Sequence, residues 1–434
     1  MGSDNDNLMA LTGPIKPLKA LPFALQQIIA MFITNLVPIM MIGGCVPLPS
    51  DQIVILSQNA MIVAGIATFI QATPIWKIGS GLPIYMGVSF TFIVPLSAIA
   101  AKHGYGAVLG AVIVGGLFEG VLGLSAKYWK KVISPIVSAT VVTGIGLSLL
   151  STAARSFGGG YVEDFGSLSH LLIGTITILT CVLWQVLIKG NKKQLSILIG
   201  VAAGYLTALI LGEVKFTGFS DIRWFALPKI LPYKPEVRID AVISICIIYL
   251  VSATETMGDA SAFASGALHR NVEPEEVSGA LTADGFSSAL AGLMGVSPVT
   301  SYSENIGMTI MTGVVNRSVA RIGALIMIVC GLFPPIGVFI RTIPASVIGG
   351  VMLLVMGQIL VSGFQMVSEA GFTTRNKLIA SLSLAIGVGF TSSTEAGIWS
   401  EMPVAVQSVF SQNIVAVIFV MALFLNLVLP KNMD

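Results

Sequence analysis

The sequence predicts an all-α integral membrane protein of fourteen transmembrane segments in two inverted repeats of seven. Three observations carry this reading: the scarcity of charge, the succession of long apolar runs, and a matched pair of interrupted stretches, one in each half. Hydrophobic residues make up 55% of the 434 residues and charged residues 10%, with a mean hydropathy of +0.90. A soluble domain carries about 25% charged residues, because water-facing surface demands them. The 23 basic and 21 acidic side chains are too few to coat a 45.4 kDa body. This argues against a soluble enzyme, a disordered chain and a nucleic-acid binder. The net charge is +2, and the basic residues are scattered rather than massed.

A helix crossing a bilayer core needs about 20 apolar residues. Runs of that kind fall at 21–44, 52–74, 80–100, 105–126, 131–154, 167–188, 193–212, 239–265, 278–296, 299–314, 317–341, 343–367, 377–398 and 403–429. The head, Met1 to Lys19, is polar and is not read as a cleaved signal peptide. Cys45, Cys181, Cys246 and Cys330 lie far apart in or beside apolar runs and read as packing residues.

Sidedness follows from lysine and arginine in short connections. Lys16, Lys19, Lys77, Lys127, Lys130, Lys131, Lys189, Lys192, Lys193, Arg270, Arg317, Arg321, Arg375, Lys377 and Lys431 fall on the side that holds both ends. Lys102, Arg155 and Arg341 fall on the other. Both termini are therefore expected in the cytoplasm.

The long connection at 213–238 leaves seven runs on each side. Seven is odd, so the second half enters the membrane from the opposite face, as inverted repeats do. Span three of the first half contains Leu82-Pro83-Ile84-Tyr85-Met86-Gly87-Val88-Ser89-Phe90. Span three of the second contains Ser297-Pro298-Val299-Thr300-Ser301-Tyr302-Ser303-Glu304-Asn305. Each reads as a short β-like stretch leading into a half-helix. Interrupted backbone at membrane depth survives only inside protein or against a polar cavity. The two stretches are placed to pair, with both half-helix N-termini aimed at one midplane point. The alternative is a pair of merely kinked helices.

Carboxylates inside spans are costly and mark function by default. They are Glu119, Glu255, Asp259, Asp284 and Glu304, with Glu395 at the border of span thirteen. No lysine or arginine sits mid-span to neutralise them, and such a group tends to hold a proton, which suits proton coupling. Glu255 and Asp259 are four apart and share a helix face. Glu119, between Gly115-Gly116 and Gly120, reads more readily as structural glue, and Glu304 has a helix cap as its plain alternative. Acceptor carboxylates suit a ligand offering N–H donors, and Phe90 offers a flat face for stacking. The pattern suits a planar heterocycle. A membrane-embedded enzyme is disfavoured: no HExxH occurs, and His103, His170 and His269 have no metal-ligand spacing.

At these residues the chain resembles the nucleobase–ascorbate transporter family. The signature stands as Glu304-Asn305-Ile306-Gly307-Met308-Thr309-Ile310-Met311-Thr312-Gly313, and a Glu-x-x-Gly-Asp pattern as Glu255 to Asp259. The segments Leu25 to Phe32 and Met86 to Phe90 are also similar. The resemblance implies a proton-coupled nucleobase importer, with H+ as coupling ion or Na+ in its place, no other cofactor, and no metal. It implies a tail at 1–20, a core domain from 21–126 and 239–341, and a gate domain from 127–238 and 342–434. The gate domain would form a homodimer. Glu255 and Glu304 would hydrogen-bond the base, Phe90 would stack on it, and Ser89, Tyr302 and Ser303 would assist. Asp259, Asp284, Asn305, Gln27 and Thr34 would form the coupling network. Family members often carry Gln-His where this chain has Gln26-Gln27. Glu304 is similar to uracil permeases, whereas Asp259 and Asp284 are similar to the purine branch. The expectation is a purine such as xanthine or urate, with uracil next and an anion carrier of the sulfate and bicarbonate class as the other kind of protein.

Overall fold

The computed structural model describes residues 7–32, 34–44, 48–126, 134–160, 162–189, 195–214, 224–394, 396–403, 406–407, 410–411, 413–430 and 433. Cys45, Glu395 and the charged residues Lys127, Lys130, Lys131, Lys192, Lys193 and Lys431 lie outside these.

The described chain is mostly helical. The first half holds α1 (Pro17–Phe32), α2 (Val37–Gly44), α3 (Ser50–Ala72), β1 (Met86–Val88), α4 (Ile93–His103), α5 (Tyr105–Leu124), α6 (Pro135–Phe157), α7 (Leu168–Leu187) and α8 (Ser196–Ile210). The second holds α9 (Ile239–Leu268), α10 (Pro274–Leu293), β2 (Val299–Ser301), α11 (Ser303–Thr312), α12 (Arg317–Gly331), α13 (Pro334–Arg341), α14 (Ala345–Glu369), α15 (Thr374–Ser392) and α16 (Ile414–Val428). Among the described residues, seven stretches are long and apolar enough to cross a membrane: Pro17–Gly43, Gln52–Ala72, Tyr105–Leu124, Pro135–Phe157, Leu168–Leu187, Ile239–Leu268 and Ala345–Glu369.

Two runs expected to be single helices are broken. The run at 21–44 divides into α1 and α2, with a turn at 34–36. The break lets Asn35 turn inward, where its Oδ1 accepts from the Val88 backbone N–H at 2.8 Å. The run at 317–341 divides into α12 and α13 just before Pro334-Pro335, because proline cannot extend a helix that precedes it.

Both interrupted stretches form short strands, and the strands pair. β1 runs antiparallel to β2 with Met86 opposite Ser301, Gly87 opposite Thr300 and Val88 opposite Val299. Buried backbone groups need partners, and side chains on neighbouring helices supply those that the pair leaves over. Thr68 on α3 accepts from the Met86 N–H at 2.9 Å. Ser288 on α10 accepts from the Val299 N–H at 3.1 Å and donates to the Val299 carbonyl at 2.9 Å. Glycine at 87 is required, since a Cβ there would run into the Tyr302 ring and lie 2.8 Å from Asn35 Oδ1.

Between helices the contacts are made by small residues, which let backbones approach where lipid offers no hydrophobic drive. On α5 and α10, a Cβ on Gly116 would lie 2.5 Å from the Ala289 nitrogen, and one on Gly285 would lie 2.7 Å from the Glu119 carbonyl carbon. On α6 and α14, one on Gly363 would meet Thr143 at 2.5 Å, and one on Gly146 would meet Leu360 at 2.7 Å.

Candidate functional site

The strand pair gathers the polar residues of four helices around it. α9 passes alongside and presents Glu255, Thr256 and Asp259 from successive turns. α10 presents Asp284 and Ser288, α11 starts directly after β2, and residues 89–92 lead from β1 into α4.

Asp259 is the best-anchored carboxylate. Its Oδ2 accepts from Ser301 Oγ at 2.5 Å and its Oδ1 from Ser303 Oγ at 2.6 Å. It therefore ties the middle of α9 to the end of β2 and the start of α11. Glu255, one turn earlier and half-buried, accepts from Thr91 Oγ1 at 3.0 Å. That bond joins α9 to the residue after Phe90. Glu304 is half-buried in the first turn of α11, directly after Ser303. The α11 N-cap residue, Tyr302, makes no side-chain capping bond.

Asp284 is wholly buried. Its Oδ2 accepts from Thr256 and from Thr300, the latter at 3.1 Å, while Oδ1 has no hydrogen bond among the described residues. Tyr302 is buried and donates to the Val88 carbonyl at 3.0 Å, bracing the strands rather than pointing away from them. Asn305 donates to the Gln27 side chain at 2.8 Å, and Gln27 donates to Thr309 at 3.0 Å. Thr34 spends its hydroxyl on the Met31 carbonyl at 3.0 Å. Ser89 is buried with its Oγ unpartnered among the described residues, and its N–H donates to the Pro298 carbonyl at 2.8 Å.

The structure thus ties Glu255, Asp259 and Asp284 to the strand pair and its flanking turns, whereas Gln27, Asn305 and Thr309 form a separate network between α1 and α11 and Thr34 bonds the Met31 carbonyl. Sequence reasoning missed three participants. Thr91, Thr256 and Thr300 look like ordinary β-branched residues in an apolar run; only folding shows that each donates to a carboxylate. Glu119, read from the sequence as structural glue, sits close to this network. It is fully buried, both its carboxylate oxygens lack a hydrogen bond among the described residues, and Ser252 and Asp284 face it. Its signal was present as a carboxylate inside a span. The histidines also differ from expectation: spacing separated them from any ligand set, yet folding brings His170 beside Asp164 and Glu213.

A cavity of about 550 Å³ opens between α4 and α6. Ile93, Val94 and Ser97 form one wall, Thr152, Arg155 and Ser156 the other. The α4 wall begins at Ile93, three residues beyond Phe90 in the sequence.

An apolar helical body with a carboxylate-lined polar centre is the build of a multi-pass membrane permease. The permease-family model Xan_ur_permease matches residues 18–396, and the chain belongs to the nucleobase–ascorbate transporter family. It is 32% identical over 417 residues to a putative purine permease, CPE0397, of Clostridium perfringens, covering 96% of this chain and 91% of that protein. It is 30% identical to the xanthine permease XanQ of Escherichia coli K12, with 95% and 91% covered. It is 28% identical to the uric acid permease PucJ of Bacillus subtilis, with 95% and 93% covered. Among solved structures, the transmembrane domain of the cyanobacterial bicarbonate transporter BicA superposes with a TM-score of 0.60 at 17% identity, covering 94% of this chain and 100% of that one. That likeness is one of fold.

Proposed function

We propose that this protein imports a purine nucleobase, xanthine or urate, together with H+ across the bacterial inner membrane. The observation that carries the reading is the joint closure of the centre by Thr91–Glu255 and Ser303–Asp259, which sets acceptor carboxylates between the starts of two half-helices. Purines of this class present several N–H donors on a flat ring. Glu255 and Glu304 accept those donors, Phe90 stacks on the ring, and Ser89, Tyr302 and Ser303 shape the space around it. Asp259 and Asp284 carry the coupling proton with support from Asn305, Gln27 and Thr34. The relatives named as xanthine, uric acid and purine permeases support the substrate class.

In this reading fourteen spans form two inverted repeats. The core domain (21–126 and 239–341) carries the site and moves against the gate domain (127–238 and 342–434), through which two copies associate. The cavity between α4 and α6 is the approach to the site, and both chain ends lie in the cytoplasm. Uracil is the second candidate, favoured by the glutamate at 304. An anion carrier is disfavoured, because Glu255, Asp259 and Glu304 would repel its cargo. Uptake of radiolabelled xanthine, urate and uracil into cells, with and without a protonophore, tests the reading. The expected result is purine uptake abolished by the protonophore. Uptake that survives it would refute proton coupling, and absence of any purine uptake would refute the substrate class.

A further inference from the structure

We propose that Asp164, His170 and Glu213 form a divalent-cation site of zinc type. Their ligand atoms lie within 4.8 Å of one another although the residues come from three segments. Asp164 lies in the connection after α6, His170 in the first turn of α7, and Glu213 just beyond α8.

His170 is the centre of the case. Its side chain is only 8% exposed, and neither ring nitrogen makes a hydrogen bond among the described residues. Leaving a buried polar group unbonded costs about 1–3 kcal/mol. Nε2 does approach Asp164 Oδ2 at 3.1 Å, but off the direction a hydrogen bond requires. Two donors bound tetrahedrally to one cation at about 2.0–2.1 Å stand roughly 3.3 Å apart without bonding to each other. The His170–Asp164 spacing has that character.

The surroundings are fitted to the imidazole and the carboxylate. Gly159 has φ +111°, and a Cβ there would lie 2.6 Å from the His170 ring, so glycine is what admits the ring. Ser169 Oγ donates to Glu213 Oε1 at 2.8 Å and lies 3.0 Å from Ser167 Oγ. Such outer hydrogen bonds hold a ligating carboxylate in place. One imidazole with two carboxylates suits zinc, and a water completes a fourth position; calcium and magnesium prefer all-oxygen sets. Among the described residues, Asp164 and Glu213 are the carboxylates whose ligand atoms lie beside His170.

The site would clasp the loop after α6 to α7 and α8. That loop carries Gly159, Gly160 and Val162, which line the cavity beside Arg155. Bound zinc would therefore stiffen one wall of the cavity.

The test uses tag-free protein in detergent, stripped with EDTA and titrated with zinc chloride by calorimetry, with zinc counted by mass spectrometry after gel filtration. The expected result is about one zinc per chain, a zinc-dependent rise in melting temperature, and affinity at least about tenfold weaker in His170→Ala. His170→Cys, which restores a ligand, should recover most of that loss. Asp164→Asn tests the same claim at an exposed position where packing is undisturbed, and should also weaken binding. Purine binding measured on each variant shows that it is folded. Absence of saturable zinc binding in the parent, or affinity equal to the parent's in both His170→Ala and Asp164→Asn, would overturn the proposal.

Discussion

The side-chain amide of Asn305 donates to the Gln27 carbonyl at 3.0 Å and to the Gln27 Oε1 at 2.8 Å, joining the start of α11 to α1 across 278 residues of sequence. Gln27 in turn donates to Thr309, which donates to the Asn305 carbonyl at 3.0 Å. The loop of bonds holds one half-helix in a fixed orientation and needs Gln27 to be acceptor and donor at once.

This relationship makes Gln27→His a pH-sensitive variant. A neutral imidazole has one donor and one acceptor and can replace the amide; the imidazolium has two donors and cannot accept from Asn305. The variant should melt like the parent at pH 8. At pH 5.5, below the ordinary histidine value of about 6.5, it should lose about 1–3 kcal/mol through the lost acceptor. Thermal melting at both pH values reads this out, and an equal gap from the parent at both would contradict it.

Gly285→Ala should destabilise. Its Cβ would meet Gly116 O and the Glu119 carbonyl carbon at 2.7 Å, both backbone atoms of α5 that cannot step aside. Overpacking of this kind costs about 1–3 kcal/mol. Gly389→Ala on α15, where a Cβ meets nothing within 4 Å, is the contrast and should be neutral or slightly stabilising. Melting temperatures of the two variants against the parent decide the matter.

Glu276 links stability to pH at the α9–α10 connection, where Arg270 donates to its carboxylate at 2.5 and 2.8 Å. Burial pushes the Glu276 carboxyl up, but the Arg270 hydrogen bonds, the Glu273 backbone N–H and the Arg270 charge outweigh burial and hold it below the ordinary range. A carboxyl lowered by folding stabilises above its unfolded value, about 4.3, and that stability is lost as the pH falls through the folded value. Glu276→Gln should therefore be less stable than the parent at pH 7, and the gap should narrow below pH 4.5. Melting curves from pH 7 to pH 3.5 check it; a gap that widens on acidification would be the opposite sign.

Much of the site was legible because proline, glycine and carboxylates are expensive at membrane depth. Pro83 and Gly87, matched by Pro298, marked both interrupted stretches, and Glu255, Asp259, Asp284 and Glu304 stood out as charges in apolar runs. What stayed hidden depended on contacts between distant segments. Thr91 gains meaning only when α9 lies beside it, and Asn35 at the break in the first span gains its partner, the Val88 N–H, only on folding. The pairing of Gln27 with Asn305 has no local signal, and neither does the meeting of His170 with Asp164 and Glu213. Glu119 was visible as a carboxylate inside a span, and its glycine-rich setting matches the close packing of α5 on α10.

The two glutamates proposed to hold the base, Glu255 and Glu304, carry the account. Calorimetric titration of xanthine, urate and uracil into the purified parent, Glu255→Gln and Glu304→Gln measures their part directly. A hydrogen bond to a charged group contributes about 1.5–3 kcal/mol, so each substitution should weaken purine binding by roughly 10- to 100-fold, with melting temperatures near the parent's. Saturable purine binding of undiminished affinity in both variants would contradict it.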